Sequence, residues 1–214
     1  MGQNYTNPKM MRLTYLVKLI SFGILVALFG FATAQSLPEK ARTSGGKPVT
    51  SGVLSDIFPK SIEELTAKSD AVVITMLTRG RTSLTPDEKY LFTPYEMSNI
   101  RVVAGALPSL SGALGKVNPF TLIHGGGEII LDGVPVRSVD YNFPNGFKNG
   151  QHLVFVKRYR AEPGQYQIYN GGIFAIDSDQ LRPVASGSAT LFAEIKGTPI
   201  SQMVSRIQIA AKPR

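Results

Sequence analysis

Short runs in which apolar and polar residues alternate recur along the middle of the chain, and this period-two pattern is typical of half-buried β-strands. It predicts a long, partly alternating strand at residues 90–103. The apolar runs at 120–123 and 152–159 predict two further strands. Residues 71–77 are apolar on both faces, which indicates a strand in the centre of a sheet. Long helical patterns do not alternate with these strands, so the chain is predicted to be mainly β.

Glycine-containing turns between apolar runs predict two hairpins. Asp132-Gly133 separates residues 128–131 from 134–137, and Asp-Gly readily takes the positive φ angles of a type I′ turn. Residues 165–169 and 173–176 are predicted to pair across the second turn, Asn170-Gly171-Gly172.

Helices are predicted at both ends of the β region. Ser61 and Glu64 form a capping-box pattern at the start of a short helix. Thr198 is the expected N-cap of a second helix over residues 199–211, and Pro199 suits its first position. Apolar residues at i, i+3, i+4 and i+7 give this helix a single stripe, which we expect to cover the β-sheet. These residues are Ile200, Met203, Val204 and Ile207.

The N-terminal region has the pattern of a secretory signal peptide. Three basic residues precede an uncharged apolar run at 19–34, which ends in the small residues Ala32 and Ala34. Cleavage is expected before Gln35. The alternative is an uncleaved anchor, although the run is somewhat shorter than the ~20 residues that span a membrane. The expected localisation is therefore outside the cytoplasm, in the periplasm or secreted.

The segment after this leader is predicted to be a flexible linker. Residues 35–60 are rich in Gly, Ser, Pro, Thr and Lys and contain few large apolar residues. Such a segment buries too little apolar surface to offset the chain entropy lost on folding. The predicted organisation is therefore a signal peptide at 1–34, a flexible linker at 35–60 and a β domain with a C-terminal helix at 61–214.

The composition excludes several classes of function. The chain has no cysteine, which excludes disulfides, thiol catalysis and cysteine-ligated zinc. The leader holds three basic residues and no acidic ones, so its removal lowers the net charge from +8 to +5. A modest positive charge favours weak attraction to anionic surfaces over nucleic-acid binding.

The most distinctive local motif is His124-Gly125-Gly126-Gly127. A similar segment supplies oxyanion-hole amides in lipases and esterases, but the G-x-S-x-G nucleophile motif of those enzymes does not occur in this chain. The simpler interpretation is a glycine-rich bend between two strands. A weaker hypothesis is that the amides of Gly125, Gly126 and Gly127 bind an anion.

A second candidate binding site is basic. Lys157, Arg158 and Arg160 surround Tyr159 and could contact an anionic polymer, although they also fit the solvent-exposed end of a strand. Asp177-Ser178-Asp179 lacks the glycine and distal glutamate of a calcium loop, so a solvated turn is expected there. The sequence assigns no catalytic residue, metal ligand or cofactor.

Five segments of the chain resemble a group of uncharacterised bacterial exported proteins. They read SDAVVITML, YLFTPYEMSNIRVVAGAL, FTLIHGGGEI, FPNGFKNGQHLVFVKRY and YQIYNGGIFAID. That group is similar, more remotely, to the OB-like barrel of netrin and metalloproteinase-inhibitor domains. The resemblance covers about residues 61–177. It implies a small OB-like barrel or curled antiparallel sheet of about seven or eight short strands. The inhibitors' metal-chelating N-terminal cysteine has no counterpart here.

The leading functional expectation is an exported, non-enzymatic binding or interaction module. Its expected partner is an extracytoplasmic protein or an anionic envelope component, and a membrane is contacted only if the leader is retained. Two alternatives are a cell-envelope hydrolase with unlocated carboxylates and an envelope protein anchored by its N-terminal helix.

Overall fold

The structure, a computed structural model, describes residues 35–53, 59, 61–107, 120–143, 146–159, 164–185 and 189–212. The predicted signal peptide at 1–34 lies outside these residues. The helices are α1 (Leu37–Thr43), α2 (Ile62–Lys68), α3 (Ala189–Ile195) and α4 (Ile200–Ala210). The strands are β1 (Val49–Val53), β2 (Ala71–Arg79), β3 (Ser83–Leu84), β4 (Leu91–Gly105), β5 (Phe120–Gly125), β6 (Gly127–Leu131), β7 (Val134–Asp140), β8 (Gly150–Arg158), β9 (Gln165–Asp177) and β10 (Gln180–Pro183).

Five strands close into a barrel. Around the ring their order is β2, β4, β5, β9 and β8, and β8 pairs again with β2. All pairs are antiparallel except β5 with β9. The strand β2 lies between β4 and β8, as its two apolar faces predict. The sequence prediction of a mainly β, OB-like barrel flanked by short helices is confirmed.

The first predicted hairpin is also confirmed. Strands β6 and β7 are antiparallel and meet at Asp132-Gly133, whose φ angles are 50° and 79°. Two successive residues with positive φ define the type I′ turn. β1 adds to β7 in parallel, so the hairpin becomes a three-stranded sheet beside the barrel.

The predicted flexible linker is wrong for residues 36–53, which form α1 and β1. Ser36 and Glu39 make a reciprocal capping box at the start of α1. Leu37 and Ala41 are buried against the hairpin residues Val134 and Val136. The segment is ordered because the β6–β7 hairpin offers a surface against which it packs. Its few apolar side chains complete a small core, and its polar strand is held by backbone pairing with β7.

The second predicted hairpin is wrong as well, because residues 165–177 form one continuous strand. β9 stays paired with β8 on both sides of a bulge. At this bulge Gly171 has a positive φ angle of 75°. A Cβ at Gly172 would lie 2.7 Å from Phe155 Cβ, so this glycine allows the strand to cross close to the core. Gly-Gly here bends a strand rather than reversing it.

The terminal helices cover the barrel. The Ser61 hydroxyl accepts a hydrogen bond from the Glu64 N–H at 3.2 Å, as the predicted cap requires. On α4 the stripe residues Met203 and Ile207 are buried in the barrel core. The predicted cap at Thr198 is wrong. Pro199 is the N-cap, since α4 begins at Ile200, and the Thr198 hydroxyl donates instead to the Glu194 carbonyl near the end of α3.

Candidate functional site

A polar cavity of about 240 Å³ lies where the barrel meets the β6–β7 hairpin. Strands β2, β4 and β5 of the barrel and β6 and β7 of the hairpin all contribute to its walls. Tyr95 and Phe143 supply apolar surface. The polar side chains that concern its chemistry are Arg79, Thr93, His124, Glu128, Arg137 and Asp140.

His124 is the most unusual residue of this cavity. Its side chain is 6 % exposed, and its Nε2 atom is buried without a hydrogen-bond partner, alone among the side chains the structure describes. Three aromatic rings hold the imidazole in place, with centroid distances of 4.6 Å to Phe147, 5.7 Å to Phe143 and 6.4 Å to Tyr95. A buried nitrogen without a hydrogen-bond partner on a fixed ring costs free energy in the folded protein.

The glycines after His124 carry the chain from the barrel into the hairpin. Gly126 and Gly127 have φ angles of 122° and 138°, a region that disfavours side chains. A Cβ at Gly127 would collide with Thr82 and Thr93. The Gly126 N–H donates to the Leu91 carbonyl at 2.8 Å, so this amide of the predicted anion nest is already occupied.

Asp140 lies beside His124 in the lining of the cavity. Its Oδ1 atom accepts a hydrogen bond from the Asn142 N–H at 2.9 Å, which fixes the carboxylate. Its Oδ2 atom lies 3.6 Å from His124 Nε2. This distance is longer than an ordinary hydrogen bond. Burial raises the pKa of Asp140, because the charged form is poorly solvated there.

The electrostatic environment of the cavity keeps the His124 imidazole neutral. Burial, and secondarily the positive charge of Arg79, lower the pKa of His124 from 6.5 to about 4. The ring is therefore uncharged at neutral pH. Arg79, Arg137 and Glu128 are exposed at the cavity mouth. The lining consequently presents both signs of charge around one neutral buried base.

The predicted basic patch lies away from this cavity. Lys157 Nζ sits 5.0 Å from the centre of the Tyr169 ring, and the Arg158 N–H donates to Asp70 Oδ2 at 2.8 Å. Neither residue lines the cavity. Arg160 lies outside the described residues. Of the predicted binding candidates that the structure describes, Gly127 alone lines the cavity.

Sequence reasoning missed the cavity because its residues are scattered along the chain. No local sequence motif marks Arg79, Thr93 or Asp140. These residues come together only when the strands pair in the folded protein. One sequence signal did point to the cavity, because His124 begins the glycine motif that joins β5 to β6. On β7 the alternating positions Ser138 and Asp140 also point to one face.

Within the described ranges, no three His, Cys, Asp or Glu side chains lie close enough to hold a metal ion. The helices among those residues are all too short or too polar to cross a membrane. Comparison with known proteins gives no match to a family model, to a curated protein or to a solved structure. The fold and the cavity therefore carry the functional argument by themselves.

Proposed function

We propose that the β domain is a binding module that acts outside the cytoplasm and takes a small polar ligand into the His124 cavity. The observation that carries this proposal is the buried, unpartnered Nε2 atom of His124 beside open polar space. A buried polar atom left unsatisfied costs about 1–3 kcal/mol. A ligand that supplies the missing hydrogen bond recovers this free energy on binding.

The other histidine of the chain shows that burial alone does not create such a site. His152 is only 2 % exposed, yet its Nδ1 atom lies 3.0 Å from the Gly150 carbonyl oxygen. It sits in β8, away from the cavity lining. His152 is therefore a satisfied structural residue, and it serves as a matched control for His124.

The proposal is tested by NMR of the histidine side chains during titration with acetate, inorganic phosphate, glycine, methylamine and urea. We expect at least one probe to shift the His124 ring resonances saturably and to leave those of His152 unchanged. The His124→Gln variant should lose this binding, and His152→Gln should retain it. Equal, non-saturable shifts at both rings with every probe would contradict the proposal.

A hydrolase is the second candidate, because Ser138, His124 and Asp140 all line the cavity. Serine hydrolases use these residue types as nucleophile, base and orienting acid. Two contacts weigh against this function. The Ser138 hydroxyl is hydrogen-bonded to Ser51 at 3.1 Å, and His124 directs Nε2 towards the carboxylate rather than the serine. Hydrolysis of p-nitrophenyl acetate that disappears in Ser138→Ala would favour the enzyme.

Export and the remote relationship to netrin-type barrels belong to the same proposal. The leader pattern at residues 1–34 supports export, and mass spectrometry of the exported product should find a chain starting at Gln35. The netrin-type resemblance rests on the five sequence segments within residues 61–177. The barrel also agrees with a binding role, since such barrels commonly present ligand sites at their loops and faces.

A further inference from the structure

The chemistry of the cavity identifies the class of ligand more closely. Asp140 Oδ1 is held by the Asn142 N–H, while Oδ2 remains directed at His124 Nε2. In the tautomer that carries its proton on Nδ1, the neutral imidazole places a lone pair at Nε2. The carboxylate and the imidazole then form two neighbouring acceptors, 3.6 Å apart, in the lining of the cavity. An ammonium group has three donors and a positive charge, so it satisfies this pair.

The remainder of the lining favours a negative group on the same ligand. Arg79 lines the cavity, and its charge is felt at His124. Arg137 lines it from β7. Guanidinium groups bind carboxylates through paired N–H donors. The lining carries positive charge on Arg79 and Arg137 and negative charge on Glu128 and Asp140, so neither a simple cation nor a simple anion meets only opposite charge. A ligand with both charges is complementary to both ends.

The dimensions restrict the ligand further. A cavity of about 240 Å³ is smaller than the usual range for drug-sized molecules. Tyr95 and Phe143 offer a limited apolar surface. We propose that the cavity binds a compact zwitterion of the α-amino-acid class, with its ammonium group donating to both Asp140 and His124 from the cavity side and its carboxylate facing Arg79. This inference rests on the proposed function.

The experiment compares L-alanine with its two singly charged halves, acetate and methylamine, by calorimetry and by the His124 ring resonances. We expect L-alanine to bind at least ten-fold more tightly than either half. Asp140→Asn should weaken L-alanine binding about ten-fold while leaving acetate binding undiminished. The exposed Asp177, which is paired with Arg182 at 2.9 Å, provides the control, and Asp177→Asn should change neither affinity.

Arg79→Gln gives an independent measurement if Asp140→Asn fails to fold, because Arg79 is exposed and its replacement leaves the core intact. It should weaken the binding of both L-alanine and acetate. Acetate or methylamine binding as tightly as L-alanine would overturn the zwitterion inference and leave the binding function standing. Shifts of the His124 ring resonances with phosphate or urea, but not with L-alanine, would also overturn the zwitterion inference and leave the binding function standing.

Discussion

The barrel and the three-stranded sheet beside it are built on very different amounts of buried apolar surface. The barrel core contains paired aromatic rings such as Phe155 and Phe174, whose centroids lie 6.2 Å apart, and it is covered by α2 and α4. The small sheet has a separate cluster of five buried residues, one of which comes from β4. These residues are Leu37, Ala41, Leu91, Val134 and Val136.

The cavity lies at the junction of these two regions. Barrel strands hold His124 and Arg79, whereas the hairpin supplies Arg137 and Asp140. Local stability follows the density of buried contacts. The barrel wall of the site therefore packs on a large core, whereas the hairpin wall depends on a small cluster that α1 completes. On the proposed function, a substitution in α1 should therefore alter ligand binding while the barrel core stays intact.

The largest expected effect comes from the barrel core. Phe155→Ala removes a fully buried ring and should lower the free energy of unfolding by about 3–5 kcal/mol. Urea denaturation followed by circular dichroism measures this change. Tyr90, which is 47 % exposed, is the control, and Tyr90→Ala should cost far less. Similar losses for both variants would mean that the barrel does not dominate stability.

The junction itself should respond to acid. Because the pKa of His124 falls from 6.5 to about 4 on folding, the unfolded chain binds a proton that the folded chain does not between these values. Stability contributed by the neutral ring is full above pH 6.5 and is lost as the pH falls to about 4. The loss should be roughly 3 kcal/mol.

This pH effect is isolated by comparing the wild type with His124→Gln. Burial raises the pKa of Asp140, which adds stability as the pH falls, but this contribution stays in both proteins. The wild type should therefore lose more stability than the variant between pH 6.5 and pH 4. Parallel curves of unfolding free energy against pH would show that His124 is not buried as described.

The smallest of these effects is expected in the small sheet. Leu37→Ala should cost about 2 kcal/mol, the low end for a buried leucine, because its cluster is small and can collapse. Hydrogen exchange should quicken in β1 and β7 while β2 and β8 remain protected. Uniform quickening throughout the chain would show that the two regions unfold together, and the contrast between them would be lost.

Local patterns along the chain determined most of the elements. The apolar run at the start of β2, the Asp132-Gly133 turn and the Ser61 cap each specify their structure through short-range backbone chemistry, and the structure contains all three. The apolar stripe of α4 likewise identified the face that covers the barrel. Steric limits on φ, capping bonds and residue spacing act within a few residues, so a sequence displays them directly.

The remaining features of the fold and the site depend on tertiary contacts between distant parts of the chain. Residues 36–53 fold because β7 and the hairpin core offer them a partner, and Gly171-Gly172 bends β9 because β8 continues to pair with it. The cavity arises in the same way, from His124 on β5, Asp140 on β7 and Arg79 on β2, strands of two sheets that the tertiary fold brings to one site. Strand pairing and burial depend on residues far apart in the chain, and no local pattern encodes which of them meet.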